Sequence, residues 1–364
     1  MPDRIVASLL SPAGLAYGVI MKFRNNLYDQ GIFKAWRSSI PVVSIGNITT
    51  GGTGKTPLVD WIVRFYRENG IAPAIISRGY GRSTKGALVV SDGSRMHLGS
   101  REAGDEVAML AARNPSTIVI VAEKRQEGVE LLMREFAGRL PGVIVLDDAF
   151  QHRKIARDLD IVVINASEPL TDARMLPAGH LREPLSGLGR ADLFILSKIT
   201  SDRNAAAIVQ HLKPFGKPVV LSKVCPGKPV RVQKSGDDMH GAHGTRVLAF
   251  AGIGAPESFL RSLREAGMEV VSSHFFRDHQ PYTRESVAMI VSESEKLGVL
   301  PVTTEKDWFR IQDNQELTAL LYQAGCAYLP IEQQFIEGQS SLEKSLLDLL
   351  NLTYHPPAGQ KQVH

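Results

Sequence analysis

The sequence predicts an α/β protein: a mostly parallel sheet with helices on both faces, followed by a second, smaller α/β domain. Three observations carry that reading. Short β-branched runs alternate with helical stretches through the first two thirds of the 364 residues, the pattern of successive βαβ units. A glycine-rich loop stands between one such run and a helix. A stretch at Pro226–Gly244, rich in Gly, Pro, Lys, Asp and His and without periodicity, separates this region from a further α/β pattern.

The chain opens on a largely apolar run, Ile5 to Met21, flanked by Arg4, Lys22 and Arg24. Ser8, Ser11, Pro12, Gly14 and Gly18 interrupt it, and it is at the short limit for a membrane span. Ser11 followed by Pro12 has the form of an N-cap and a first helical residue. Leu15, Val19, Phe23 and Leu27 then recur every four residues, so residues 1–30 are expected to carry an amphipathic helix. That helix either packs on the protein's own core or lies on an anionic membrane surface.

Strands are expected at Pro41–Gly46, Ala74–Ser77, Thr117–Val121, Gly142–Asp147, Asp160–Asn165, Asp192–Ser197 and Pro218–Ser222. Helices are expected at Leu58–Glu68, Glu106–Arg113 and Gln126–Phe136. A first domain is thus expected over 31–225 and a linker over 226–245. A second domain, over 246–354, is expected to hold strands Arg246–Ala251, Leu300–Thr303 and Ala327–Pro330 and helix Pro256–Ala266. A loose tail closes the chain at 355–364.

The glycine-rich loop reads Asn47-Ile48-Thr49-Thr50-Gly51-Gly52-Thr53-Gly54-Lys55-Thr56. It follows a strand and precedes a helix, the context of a phosphate-binding loop, so the sheet is expected to be P-loop NTPase-like. Thr49 to Thr56 would bind the nucleotide phosphates, Lys55 would reach the β- and γ-phosphates, and the Thr56 hydroxyl would ligate Mg²⁺. Thr49 stands where the pattern G-x-x-x-x-G-K-[ST] has its first glycine. Gly51 and Gly52 are expected to supply the missing flexibility. Val143-Ile144-Val145-Leu146 delivers Asp147 and Asp148 to a strand end, where paired acids can hold the metal. Gly252-Ile253-Gly254 also follows a strand, but the third glycine of a dinucleotide motif falls on Glu257, so that motif fails.

Composition narrows the partners. The net charge is +4 and the pI about 9.0, which suits an anionic partner. No dense Lys/Arg run interleaved with aromatics is present, so nucleic acid is not expected. Cys225 and Cys326 lie far apart, which points to a reducing, cytosolic setting with no disulfide framework and no structural zinc.

SIGNITTGGTGKTP (44–57), ISRGYGR (76–82), GDE (104–106), LDDAFQHR (146–153), PAGHLREP (177–184), RDHQ (277–280) and TEKDW (304–308) occur in that order. Together they resemble the tetraacyldisaccharide 4'-kinase family. The family often has Gly where Ala149 stands, a mild change in a turn. The resemblance implies two α/β/α lobes with the active site in the cleft between them. It implies ATP and Mg²⁺ as cofactors and an acylated disaccharide 1-phosphate as acceptor, phosphorylated at its 4' hydroxyl to give lipid IVA. It also implies a peripheral enzyme on the cytoplasmic face of the inner membrane. No feature asks for an obligate protein partner.

The resemblance further implies that Asp105 is the catalytic base and His279 its partner, and that Arg182 reaches the nucleotide phosphates. Glu183 would support the metal or Arg182. Arg78 and Arg82, with Glu106, Gln151 and His152, are the remaining candidates near substrate or metal. From the residues alone, Asp105 could equally cap a helix. Leu196-Ser197-Lys198 ends a strand where a nucleotide base could sit. A nucleotide switch or ATPase without a lipid acceptor is the competing class, together with a phosphate-binding regulator that does not turn over. No N-K-x-D motif supports a GTPase switch, since SKIT at 197–200 matches it only in part.

Overall fold

A computed structural model describes residues 10–168, 170, 174–199, 201–232, 242–278 and 280–352. In chain order the elements begin α1 (Ser11–Asp29), β1 (Val42–Gly46), α2 (Lys55–Glu68), β2 (Pro73–Ser77), β3 (Leu88–Asp92), α3 (Ser100–Ala103) and α4 (Asp105–Arg113). They continue β4 (Ile118–Val121), α5 (Arg125–Glu135), β5 (Val143–Asp147), β6 (Leu159–Asn165), β7 (Leu193–Ser197), α6 (Asp202–Leu212) and β8 (Val219–Pro226). Then come β9 (Val230–Arg231), β10 (Arg246–Ala251), α7 (Pro256–Glu265), β11 (Glu269–Phe275), α8 (Arg284–Leu297), β12 (Leu300–Thr304), α9 (Glu305–Gln312), α10 (Gln315–Gln323) and β13 (Ala327–Leu329). The last two are β14 (Ile331–Glu337) and α11 (Gln339–Leu352).

The strands form a nine-stranded sheet, β14-β8-β7-β6-β1-β5-β2-β4-β3, and a five-stranded sheet, β11-β10-β12-β13-β9. From β8 to β4 all neighbours of the large sheet pair in parallel, and the two edge strands are antiparallel. Its inner strands are apolar at nearly every position because helices cover both faces. Val43 and Ile45 of β1 pack with Leu58, Val59 and Ile62 of α2. Val42 turns the other way, into a cluster with Ile144, Leu146, Val129 and Leu132. β1 lies between β5 and β6, so its C-terminal end opens at the centre of the sheet, where ligands of such sheets bind.

The two sheets do not divide the chain where the sequence breaks. β9, inside the stretch expected as linker, pairs antiparallel with β13. β14 and α11, inside the expected second domain, return to the large sheet: β14 pairs with β8, and Leu342, Leu346 and Leu349 of α11 join the cluster under β1. β3, β11 and β14 are not among the expected strands, although β3 opens on the short apolar run Leu88-Val89-Val90. β14 reads Ile-Glu-Gln-Gln-Phe-Ile-Glu, and an edge strand with one exposed face needs no continuous apolar stretch.

The sheets meet through charge. Arg113, near the end of α4, donates to Asp60 of α2 at 3.2 Å and to Glu305 of α9 at 2.7 Å, and also reaches the Ile331 carbonyl at 2.9 Å. Helix α9 thereby lies along α3 and α4.

Helix α1 runs from Ser11, with Leu10 rather than Ser11 at the cap position and no side-chain cap bond. Its buried residues are Gly14, Met21 and Asn25. Leu15, Val19, Ile20 and Phe23 are 72%, 68%, 63% and 63% exposed. The apolar stripe therefore faces away from the protein, and the face that packs inward carries Gly14, Met21 and Asn25.

Candidate active site

The glycine-rich loop joins β1 to α2 as expected. Gly51 and Gly54 have φ of 101° and 85°, a region that side chains rarely adopt. At Gly54 the space is also closed, because an added Cβ would lie 2.6 Å from the Ser197 hydroxyl. The flexibility expected of Gly51 and Gly52 thus falls on Gly51 and Gly54, while the Gly52 carbonyl accepts from Lys198 Nζ at 2.6 Å. Asn47 braces the loop from within, donating to the Thr49 carbonyl at 2.7 Å and to Thr53 Oγ1 at 3.2 Å.

Thr49 and Thr50, expected at the phosphates, tie the loop to the segment that carries Arg182. Thr49 forms a bridge with Leu181. The Thr50 N–H donates to the His180 carbonyl at 2.8 Å, and its hydroxyl lies 3.1 Å from His180 Nδ1. The Arg182 N–H donates to the Ile48 carbonyl at 2.7 Å. These bonds bring the Arg182 side chain to Asp148, with Nη1 at 2.9 Å from both carboxylate oxygens. Lys55 Nζ stands 3.3 Å from the same carboxylate. Burial pushes the Asp148 carboxyl up, but Lys55 and Arg182 outweigh it and hold it below its ordinary range. Two cations therefore converge beside the phosphate loop.

Asp147 ends β5 and accepts from Ser77 Oγ of β2 at 2.8 Å. Burial, reinforced by Asp148 and Glu106, pushes its carboxyl up to about 6. Glu106 opens towards α2, where its Oε2 accepts from Thr56 Oγ1 at 3.3 Å. Thr56, Asp147 and Glu106 fit a magnesium ion: they offer only oxygen donors, and their crowded negative charge is what a divalent cation relieves; Asp148, expected beside Asp147 at the metal, is instead paired with Lys55 and Arg182 here. Among the described residues no three His, Cys, Asp or Glu side chains could hold a metal by themselves. Phosphate and water oxygens would complete the shell, as is usual for magnesium.

Asp105 is the first residue of α4 and Gly104 is its cap, with no side-chain cap bond, so Asp105 does not cap the helix. Its carboxylate instead receives Arg310 from α9, at 2.7 and 3.0 Å. Lys306, one turn earlier on α9, stands 3.7 Å from Glu106. His279 lies outside the described residues.

The other candidates separate. Arg78 is exposed, next to Tyr80, which is 80% exposed. Arg82, expected at the acceptor, is engaged by the protein itself, donating to Glu123 beyond β4 at 2.5 Å and to the Gly86 carbonyl of its own loop at 2.6 Å, with its side chain 3% exposed. Burial, with Arg125 and Arg78 close by, pushes the His152 imidazole down to about 4. Gln151 donates to the Asn47 carbonyl and to Glu183 Oε1, each at 2.8 Å. Glu183 is fully buried, and it also accepts from Asn25 of α1 at 3.0 Å and pairs with Arg190 at 2.9 Å. It joins α1 to the phosphate loop rather than to a metal or to Arg182. Ser77, Lys306 and Arg310 were given no role by the sequence, although Ser77 lies in ISRGYGR, Lys306 in TEKDW and Arg310 two residues beyond it; Lys198 was expected only near a nucleotide base.

Comparison with known proteins identifies the family. The profile described as Tetraacyldisaccharide-1-P 4'-kinase matches residues 6–351. The tetraacyldisaccharide 4'-kinase of Chlorobaculum parvum is 63% identical over 350 residues, covering 96% of this chain and 97% of that protein. The protein of the same description from Chlorobaculum tepidum is 62% identical over 350 residues, covering 96% and 99%. A crystal structure of LpxK from Aquifex aeolicus in complex with ATP superposes with a TM-score of 0.75 at 30% identity, covering 95% of this chain and 99% of that one. The chain belongs to the tetraacyldisaccharide 4'-kinase family.

Proposed function

We propose that the protein transfers the γ-phosphate of ATP to the 4' hydroxyl of a tetraacylated disaccharide 1-phosphate, giving lipid IVA. The observation that carries this reading is the Thr56–Glu106 contact of 3.3 Å. It sets the helix that begins with Asp105 against the phosphate loop, so that a proton acceptor and a phosphate site share one space. The family relationship supports the acceptor, and the ATP in the Aquifex aeolicus structure supports the donor.

In this account the N-terminus of α2 and the loop amides receive the phosphates. Lys55 and Arg182, released from Asp148, neutralise the charge that builds on the γ-phosphate oxygens. Thr56, Asp147 and Glu106 would hold magnesium, which when bound offsets phosphate charge. Asp105 takes the proton of the sugar hydroxyl. The sugar oxygen bonds to the γ-phosphorus while the bond to the β–γ bridging oxygen breaks, and ADP leaves with that electron pair. Arg78 and Tyr80 lie exposed at the rim, suited to the acceptor's anionic group. We read the large sheet with β14 and α11 as one lobe and the five-stranded sheet as the other.

The acceptor is acylated, and the exposed stripe of α1 supports its delivery from a membrane surface. No helix among the described residues is long and apolar enough to cross a membrane. We place the protein peripherally on the cytoplasmic face of the inner membrane, where ATP is at hand. Incubation with γ-labelled ATP, magnesium and the acylated acceptor tests the function. Label is expected in the lipid fraction. Label released only as free phosphate would overturn the reading in favour of an ATPase.

A further inference from the structure

The acid that the mechanism uses as base is gripped from the other sheet. Arg310 Nη2 and Nε both donate to Oδ2 of Asp105, at 2.7 and 3.0 Å. The two side chains are 11% and 15% exposed, so water screens the pair little. Arg310 is itself held. Its Nη1 lies 3.1 Å from Oδ1 of Asp307, whose side chain is fully buried. The other oxygen of Asp307 accepts from the Gly252 N–H at 3.1 Å and from Thr304 Oγ1 at 2.6 Å. The Asp307 N–H in turn donates to Thr304 Oγ1 at 3.1 Å, which caps α9.

Gly252 has a further part in this arrangement. A Cβ there would lie 3.1 Å from Arg310 Nη1 and 3.3 Å from Asp307 Oδ1. The first glycine of Gly252-Ile253-Gly254, which fits no dinucleotide motif, thus makes room for the guanidinium and supplies an N–H to its anchor. The same face of α9 carries two further contacts at helical spacing. Lys306 lies 3.7 Å from Glu106, and Asp313 just beyond the helix accepts from Ser100 Oγ at 2.7 Å and the Arg101 N–H at 3.1 Å.

We propose that Arg310, anchored by Asp307, is a positioning residue for the reaction: from the five-stranded sheet it fixes the rotamer of Asp105 and so the direction in which that carboxylate meets the sugar hydroxyl. The proposal rests on the reading of Asp105 as the base. A two-donor grip on one oxygen sets where the other oxygen points, which a single flexible ammonium could not do. It also makes the base complete only when the two sheets are docked through α9.

The test uses the full chain with ATP, magnesium and the acylated acceptor in detergent micelles. Arg310→Ala is expected to lower kcat by about 10- to 100-fold, the effect of misplacing a reacting group by about an ångström, while KM for ATP holds within about twofold. Arg310→Lys is expected to recover only part of the loss, because it keeps the charge but not the two-donor geometry. Millimolar guanidinium is expected to restore turnover in Arg310→Ala and to do nothing for the wild type or for Asp105→Ala. Wild-type kcat in Arg310→Ala would overturn the proposal. So would a loss that follows the melting temperature and does not respond to guanidinium. Asp105→Ala is measured in parallel: an inactive Asp105→Ala beside a normal Arg310→Ala removes only this proposal, whereas normal turnover in Asp105→Ala removes the base itself.

Discussion

Replacing Leu15 and Phe23 together with serine tests whether α1 meets lipid. The two side chains are 72% and 63% exposed on one face of the helix. Burying a whole Leu or Phe side chain is worth about 1.5–3 kcal/mol. With about two thirds of each still available, insertion into lipid gains roughly 1–2 kcal/mol apiece. The double substitution should therefore weaken vesicle partitioning by about 2–4 kcal/mol, or about 30- to 1000-fold. Stability should hardly change, since the packed face of the helix is Gly14, Met21 and Asn25. Sedimentation with anionic phospholipid vesicles at fixed salt gives the partition coefficient, and a thermal melt gives the control. A partition coefficient within about threefold of wild type would show that this stripe is not the membrane contact.

Three further outcomes are expected. Lys55→Ala should nearly abolish transfer, since it removes one of the two cations that meet at Asp148; wild-type-like turnover would remove the phosphate-site assignment. Arg113→Ala should destabilise the fold by about 3–5 kcal/mol in urea titrations, because it strands the buried carboxylate of Glu305, while Asp60 keeps Arg64 and Asn114; a loss under about 1 kcal/mol would show that the junction does not depend on this arginine. His152 is held down to about 4 by burial first and by Arg125 and Arg78, against about 6.5 in an unfolded chain. Its folded value is the lower one, so the unfolded chain binds the extra proton. The stability it contributes is full above about pH 6.5 and declines as the pH falls towards 4, by up to about 3 kcal/mol. His152→Gln should flatten the acid slope in that window, and an unchanged slope would exclude this imidazole as its source.

The large sheet was legible because its strands are buried on both faces and read as apolar runs between helices. The phosphate loop was legible because its glycines and Lys55-Thr56 are contiguous. Other features were not, for physical reasons. Edge strands such as β14 carry polar residues and leave no run. The periodicity of α1 left two placements open, and packing decides between them: the apolar stripe is exposed, and Tyr17, Arg24 and Asn25 bond inward to the Arg182 carbonyl, the Gln151 carbonyl and Glu183. Arg82 and Glu183 belong to recognised motifs, yet both serve loop structure. Arg310 lies 205 positions from Asp105, and no local pattern pairs residues so distant. Motifs mark where chemistry-bearing residues lie, but which of them face a common space is decided by the packing of the two sheets.

The proposed reaction delivers the γ-phosphate to one particular hydroxyl. Its most direct test is fragmentation mass spectrometry of the acceptor after incubation with ATP carrying heavy oxygen in the γ-phosphate. A single added phosphate at the 4' position, retaining the heavy oxygens, is expected in the wild type and not in Asp105→Ala. An unmodified acceptor beside labelled free phosphate, or a phosphate at another position, would contradict it.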